Sequence, residues 1–182
     1  MIVVCFAEGS EEVEALTVVD LLRRAQLEVV IAGLSKEVIR GSKGIQILPD
    51  CRIDEIESEK VEMLVLPGGM PGTTNLLADK DVDRLLREVY VAGRPIAAIC
   101  AAPMILGQKE YLINKRAVCY PGYEDQLLGA HVQMGARVIV DGNVITSKGL
   151  GTAIDFSLAL IEKIKGKETA KLIQKQICYE TD

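Results

Sequence analysis

Cys100 closes the run PIAAIC and opens the run AAPMIL. The first run reads as a buried strand and the second as the start of a helix. A thiol on that corner has the setting of a nucleophile elbow, where the reactive atom is held out on a sharp strand-to-helix turn. Pro103 then falls in the first helical turn, where a missing N–H costs nothing. The positive end of such a helix favours the thiolate and predicts a lowered thiol pKa. The competing reading is a small, buried, inert hydrophobe.

Three further stretches hold groups that could serve such a thiol. In GSEEVEA, Ser10 reads as an N-cap, with Glu11 and Glu12 in the first turn complementing the helix dipole. Glu14 lies further in, between Val13 and Ala15. Facing a crevice, it would be desolvated and its pKa raised, fitting it to donate to a thiolate or to act as general acid or base. Facing water, it would be an ordinary helix-face glutamate. In LPGGMPG, Gly68 and Gly69 follow a buried strand and let backbone amides approach a ligand closely. The Gly69 amide could pair with that of Ala101 to hold a developing oxyanion; a simple tight turn is the alternative. In SKGLGTAIDF, Gly149 and Gly151 precede Thr152 at a helix start, an arrangement able to meet an anion. The spacing is not that of a dinucleotide fingerprint, so this stretch reads as a helix entry packed near the site.

These groups need a scaffold. Apolar runs at 2–7, 28–34, 62–67 and 95–99 read as buried strands. Helical periodicity marks 11–25, 79–92 and about 152–165, with a last helix after Gly166. Residues 37–48 read as two short strands around GSKG, and ARVIV/VITS as a hairpin around DGN, with another strand near 117–119. Val- and Ile-rich strands alternating with amphipathic helices predict a mostly parallel sheet covered on both faces, a three-layer α/β sandwich of the doubly wound type. Ligands bind such sheets at the carboxyl ends of the strands. That rule selects AEGSEE, PGGMPG and CAAP, three loops able to share one crevice.

The chain has 182 residues, which fits a single domain over 1–182. At this size about 70% of the unfolded surface is buried, enough for an ordinary core. A net charge of −5, no Trp and two Phe argue against a nucleic-acid face. No apolar run has the length to span a membrane, and the N-terminus lacks signal-peptide features, so a cytoplasmic protein is expected. Five cysteines without a C-x-x-C pair are read as free thiols rather than a disulfide framework. The single histidine, His131, has no ligand-spaced partner, so no metal site is expected.

AEGSEEVEA, VLPGG, AAICAAP and SKGLGTAIDF, in this order and at these intervals, resemble the ThiJ/PfpI superfamily, in the branch of YajL and the Parkinson-disease-associated protein deglycase. The resemblance spans essentially the whole chain. It implies a flavodoxin-like homodimer that needs no cofactor, with Cys100 as the reactive cysteine. Glu14 is then its protonated, hydrogen-bonded partner, and Gly69 and Ala101 supply the oxyanion amides. The implied activity is that of a glutathione-independent glyoxalase or deglycase on α-oxoaldehydes and early glycation adducts. The same thiol would suit an oxidative-stress sensor or holdase chaperone. A cysteine peptidase needs a base beside its nucleophile. Here Ala101 follows the cysteine, and Tyr120, a candidate pocket residue with Gly68 and Gly149, stands where some members carry a histidine. Both substitutions count against a peptidase, and no thiazole-specific motif supports a thiamine-pathway role. Residues 37–48 are the expected dimer contact.

Overall fold

Residues 1–180 are described by a computed structural model. Strand β1 (Ile2–Phe6) leads through a short loop into helix α1 (Glu12–Arg24) and strand β2 (Val29–Gly33). A small hairpin follows, β3 (Ile39–Arg40) and β4 (Gln46–Ile47), then the two-residue strand β5 (Cys51–Arg52). Strand β6 (Met63–Leu66) precedes helices α2 (Gly72–Ala78) and α3 (Lys80–Val91). Strand β7 (Ile96–Ile99) precedes α4 (Pro103–Gln108), β8 (Arg116–Ala117) and β9 (His131–Val132). The hairpin β10 (Val138–Asp141) and β11 (Val144–Ser147) leads into α5 (Ala153–Lys165) and α6 (Lys167–Gln176).

Seven strands form the central sheet in the order β10-β11-β7-β6-β1-β2-β5. Every neighbouring pair is parallel except the β10–β11 hairpin. Pleating sends alternate side chains to opposite faces. Ile2, Val4 and Phe6 pack under α1, α5 and α6. Val3, Cys5 and Ala7 pack with α3 and α4 residues such as Leu85, Leu86 and Ile105. The result is the flavodoxin-like three-layer α/β fold. Its strand order reverses direction between β1 and β6, the point where open α/β sheets place their ligands. The loops after β1 and β6 therefore lie side by side at one edge of the sheet, next to the corner after the adjacent β7.

Several elements differ from the sequence reading. The strand expected near 117–119 is Arg116–Ala117 and pairs with β9 in a separate two-stranded sheet. Helix α2 has only one full turn of apolar signal, in Leu76 and Leu77, and was hidden in a stretch of small and polar residues. Asp79 then ends it and starts α3, its Oδ1 accepting from the N–H groups of Asp81 and Val82. The N-cap of α1 is Glu11, not Ser10: Glu11 Oε2 accepts from Glu14 N at 2.6 Å, while the Ser10 hydroxyl turns back to accept from Ala7 N. No helix among the described residues is long and apolar enough to cross a membrane. Of the span 1–182 read as one unit, Thr181 and Asp182 lie outside the described residues.

Candidate active site

The corner after β7 is strained at the thiol. Cys100 has φ +66°, a left-handed conformation uncommon for a residue with a Cβ. Both of its backbone polar groups are held. Its N–H donates to Ser147 O at 3.0 Å, and its carbonyl accepts from Tyr120 N at 2.8 Å. Pro103 opens α4 at the position the sequence reading assigned it. Cys100 itself is part-buried, whereas Cys5 and Cys119 are fully covered.

Glu14 comes to the thiol from α1. It is 1% exposed, and its Oε2 accepts from Gly68 N at 2.9 Å. Its Oε1 has no hydrogen-bond partner. Gly68 has no room for a side chain: a Cβ there would lie 2.6 Å from Cys100 Cβ and 2.8 Å from Glu14 Oε2. The next residue, Gly69, has φ +86°, and a side chain on it would run into the Glu11 backbone. Gly68 O in turn accepts from Glu11 N at 2.8 Å. The loops after β1 and β6 are thus locked together around the glutamate.

Burial sets the electrostatics. Desolvation pushes the Glu14 carboxyl up to about 7, against the opposing pull of the Gly68 N–H and the Cys100 side chain. Desolvation also pushes the Cys100 thiol up to about 12, and the Glu14 charge and hydrogen bond add to it. The N–H groups of Ala101 and Gly69 reach the sulfur and pull its pKa down. The lowered thiol pKa expected from the helix dipole is therefore corrected. Burial and a neighbouring carboxylate outweigh a helix of 6 residues that begins three positions beyond the sulfur.

The structure brings Cys100, Glu14, Gly68, Gly69, Ala101 and Gly149 into one place. A Cβ on Gly149 would lie 3.2 Å from Tyr120 Cδ2 and 4.0 Å from Cys100 Sγ, so ring and thiol flank this glycine. Tyr120 is half-exposed at the rim. Gly149 is fixed by Thr152, whose hydroxyl accepts from Gly149 N and donates to Gly149 O. Thr152 also meets the Ser147 hydroxyl at 2.7 Å, a buried pair the sequence reading did not single out. Its signal was the Ser and Thr bracketing the KGLG turn. His131 is exposed on β9, in register with Arg116. Glu12, read as a first-turn acid complementing the helix dipole, is fully buried.

A doubly wound sheet with a strained thiol corner and a buried glutamate against it defines an α/β protein built around an elbow cysteine. The chain belongs to the DJ-1/PfpI family, whose profile matches residues 1–163. Among curated relatives, it is similar to Protein dj-1beta of Drosophila melanogaster, 38% identical over 94% of this chain and 93% of that one. It is also similar to Glutathione-independent glyoxalase DJR-1.2 of Caenorhabditis elegans, 32% identical over 94% and 91% of the two chains. Among solved structures, oxidized Toxoplasma gondii DJ-1 superposes with a TM-score of 0.94 at 37% identity, covering 99% and 98%.

Proposed function

We propose that this protein is a Cys100-dependent glyoxalase or deglycase acting on α-oxoaldehydes such as methylglyoxal and on early glycation adducts. One observation carries the reading. A buried carboxyl with a pKa of about 7 and an unpartnered oxygen lies beside the elbow thiol. A base works best with a pKa near the operating pH. The C. elegans relative named as a glutathione-independent glyoxalase supports the same reaction class.

The chemistry balances without an external oxidant. Cys100 sulfur adds to the aldehyde carbon, the carbonyl π pair moves to oxygen, and the thiol proton is passed by the Glu14 carboxylate to that oxygen. The N–H groups of Gly69 and Ala101 stabilise the oxyanion before it is protonated. Glu14 then removes the proton from the sulfur-bearing carbon, giving an enediolate, and returns it to the neighbouring carbon while the hydroxyl proton on the sulfur-bearing carbon passes to the second oxygen. One carbon is oxidised and its neighbour reduced. Water hydrolyses the resulting thioester, releasing a 2-hydroxy acid and restoring the thiol. Gly149 and the Tyr120 ring stand beside the thiol, where they would meet a bound substrate.

The test is methylglyoxal consumption without glutathione. Wild type should turn over and Cys100→Ser should not; equal rates in the two would overturn the reading. Oxidation sensing at Cys100 is a second reading, supported by the Gly69 and Ala101 N–H groups at its sulfur, which suit an oxidised, anionic sulfur; exposure does not single it out, since Cys51 is also part-buried and Cys178 is exposed. Mass spectrometry after mild peroxide checks it: selective oxidation of Cys100 supports sensing, and even oxidation of all five cysteines removes it. We infer a homodimer contact at 37–48, supported by the exposure of the apolar side chains Val38, Ile45 and Leu48 there. Light scattering should show a dimer that Leu48→Lys weakens, and a wild-type monomer would refute it.

A further inference from the structure

The reaction uses Glu14 and leaves a second buried glutamate without a part. Glu12 has no exposed surface. Its Oε1 accepts from Lys43 N at 2.8 Å and Ile45 N at 3.1 Å, and its Oε2 accepts from the Ser42 hydroxyl at 3.3 Å. All three donors lie on the tip of the β3–β4 hairpin. Gly41 packs directly against the glutamate, and a Cβ there would land on the Glu12 side chain.

The tip is also joined to the loop after β1. Ser42 N donates to Ser10 O at 2.8 Å, Gly9 N to Arg40 O at 2.9 Å, and Arg40 N to Glu8 Oε2 at 3.0 Å. That loop is clamped on its other side by Glu11 N donating to Gly68 O. Gly68 is the residue whose N–H holds Glu14 and whose missing side chain admits the thiol. An unbroken set of contacts therefore runs from the hairpin tip, through residues 8–12, to the Glu14–Cys100 pair.

We propose that Glu12 is a positioning residue: its carboxylate ties the hairpin tip to the first turn of α1 and so holds Glu14 in its dry seat against Cys100. The inference rests on the reading of Glu14 as the base that activates the Cys100 thiol. The physical link is water exclusion. Freed from the tip, residues 8–12 separate from Gly68 and admit solvent, and desolvation is the largest influence on Glu14. The groups facing Glu14 are Cys100, the Gly68 N–H and Glu11, and Glu12 acts on it only through the loop.

The experiment follows iodoacetamide labelling of Cys100 by mass spectrometry as a function of pH, which needs no substrate. Wild type should show a limb near pH 7, set by Glu14. In Glu12→Ala the midpoint should fall by about one pH unit or more, as Glu14 is rehydrated toward its ordinary value. Glu12→Gln keeps an acceptor for Lys43 and Ile45 N–H and should restore the wild-type midpoint. A folded Glu12→Ala protein with the wild-type profile overturns the inference. If Glu12→Ala does not fold, Gly41→Ala, which displaces the same side chain and leaves its charge, should show the lowered midpoint, and an unchanged one overturns the inference. A wild-type profile with no limb near neutral pH overturns the Glu14–Cys100 reading, and this inference with it.

Discussion

Glu12 and Glu14 sit two residues apart in the first turn of α1, both buried, and titrate in opposite directions. For both, desolvation is the largest single influence and favours the neutral acid. Glu12 has backbone donors from its own residue, Lys43 and Ile45 as well as the Ser42 hydroxyl, and together these hold it below the usual carboxylate range. Glu14 has the Gly68 N–H, a thiol and one unpartnered oxygen, and stays raised at about 7. Burial alone does not make a carboxyl a proton carrier; burial with too few donors does. The hairpin side of the helix turn is built for anchorage and the elbow side for chemistry.

Removing the ionisable group on the elbow side should have the largest effect. Glu14→Gln keeps an acceptor for Gly68 N–H but cannot carry a proton. The kcat/KM for methylglyoxal should fall about 10²–10⁴-fold. In wild type the rate should rise with pH through about 7 and then level, because the carboxylate form of Glu14 takes the thiol proton. In Glu14→Gln that limb should be absent. A variant that keeps both rate and limb breaks the contrast between the two glutamates.

Stability should respond in the opposite sense at the two positions. Glu14 is raised in the folded protein, so its contribution is fully present below the unfolded value of 4.5 and is lost as pH rises through about 7. That loss is on the order of 3 kcal/mol at alkaline pH. Glu12 is lowered, so its contribution is present above the unfolded value and is lost as pH falls through its folded value. Thermal melts at pH 8 should therefore find Glu14→Gln more stable than wild type. Glu12→Gln should be less stable by about 1–2 kcal/mol, the charge-assisted part of its hydrogen bonds. Near pH 4 both differences should shrink.

The same contrast marks what the sequence could tell. The sheet, the elbow cysteine and the convergence of three loops were legible because Val/Ile runs, a strand-to-helix break and Gly-Gly each have a local signature. For Glu14 the neighbouring residues leave a crevice-facing and a solvent-facing position equally open, since Val13 beside it is itself exposed, and only the family resemblance implies a protonated partner for Cys100. Glu12 was not legible, since its partners lie 30–33 residues away on a hairpin and bond through backbone N–H groups that any residue supplies. The helix end predicts a lowered thiol pKa, and the structure raises it, for a related reason. The local helix end was visible, but the burial and the Glu14 charge that dominate arise from tertiary packing. Helix α2 was lost to weak periodicity in GTTNLLA, and the Ser147–Thr152 pair to polar residues that read as ordinary turn formers.

The smallest expected effect divides the anchorage itself. Ser42→Ala removes one donor to Glu12 Oε2 and leaves Lys43 N and Ile45 N on Oε1. The Ser42–Glu12 contact is also the longest of the three, at 3.3 Å. Loss of one such bond should cost about 0.5–1.5 kcal/mol, read as a lower midpoint in urea with an unchanged slope. The backbone bond from Ser42 N to Ser10 O remains, so the hairpin tip stays on residues 8–12 and turnover should be within about twofold of wild type. A loss of activity as large as that of Glu14→Gln would mean that the hydroxyl, not the two backbone amides, holds the tip. The division of labour between the two glutamates would then have to be redrawn.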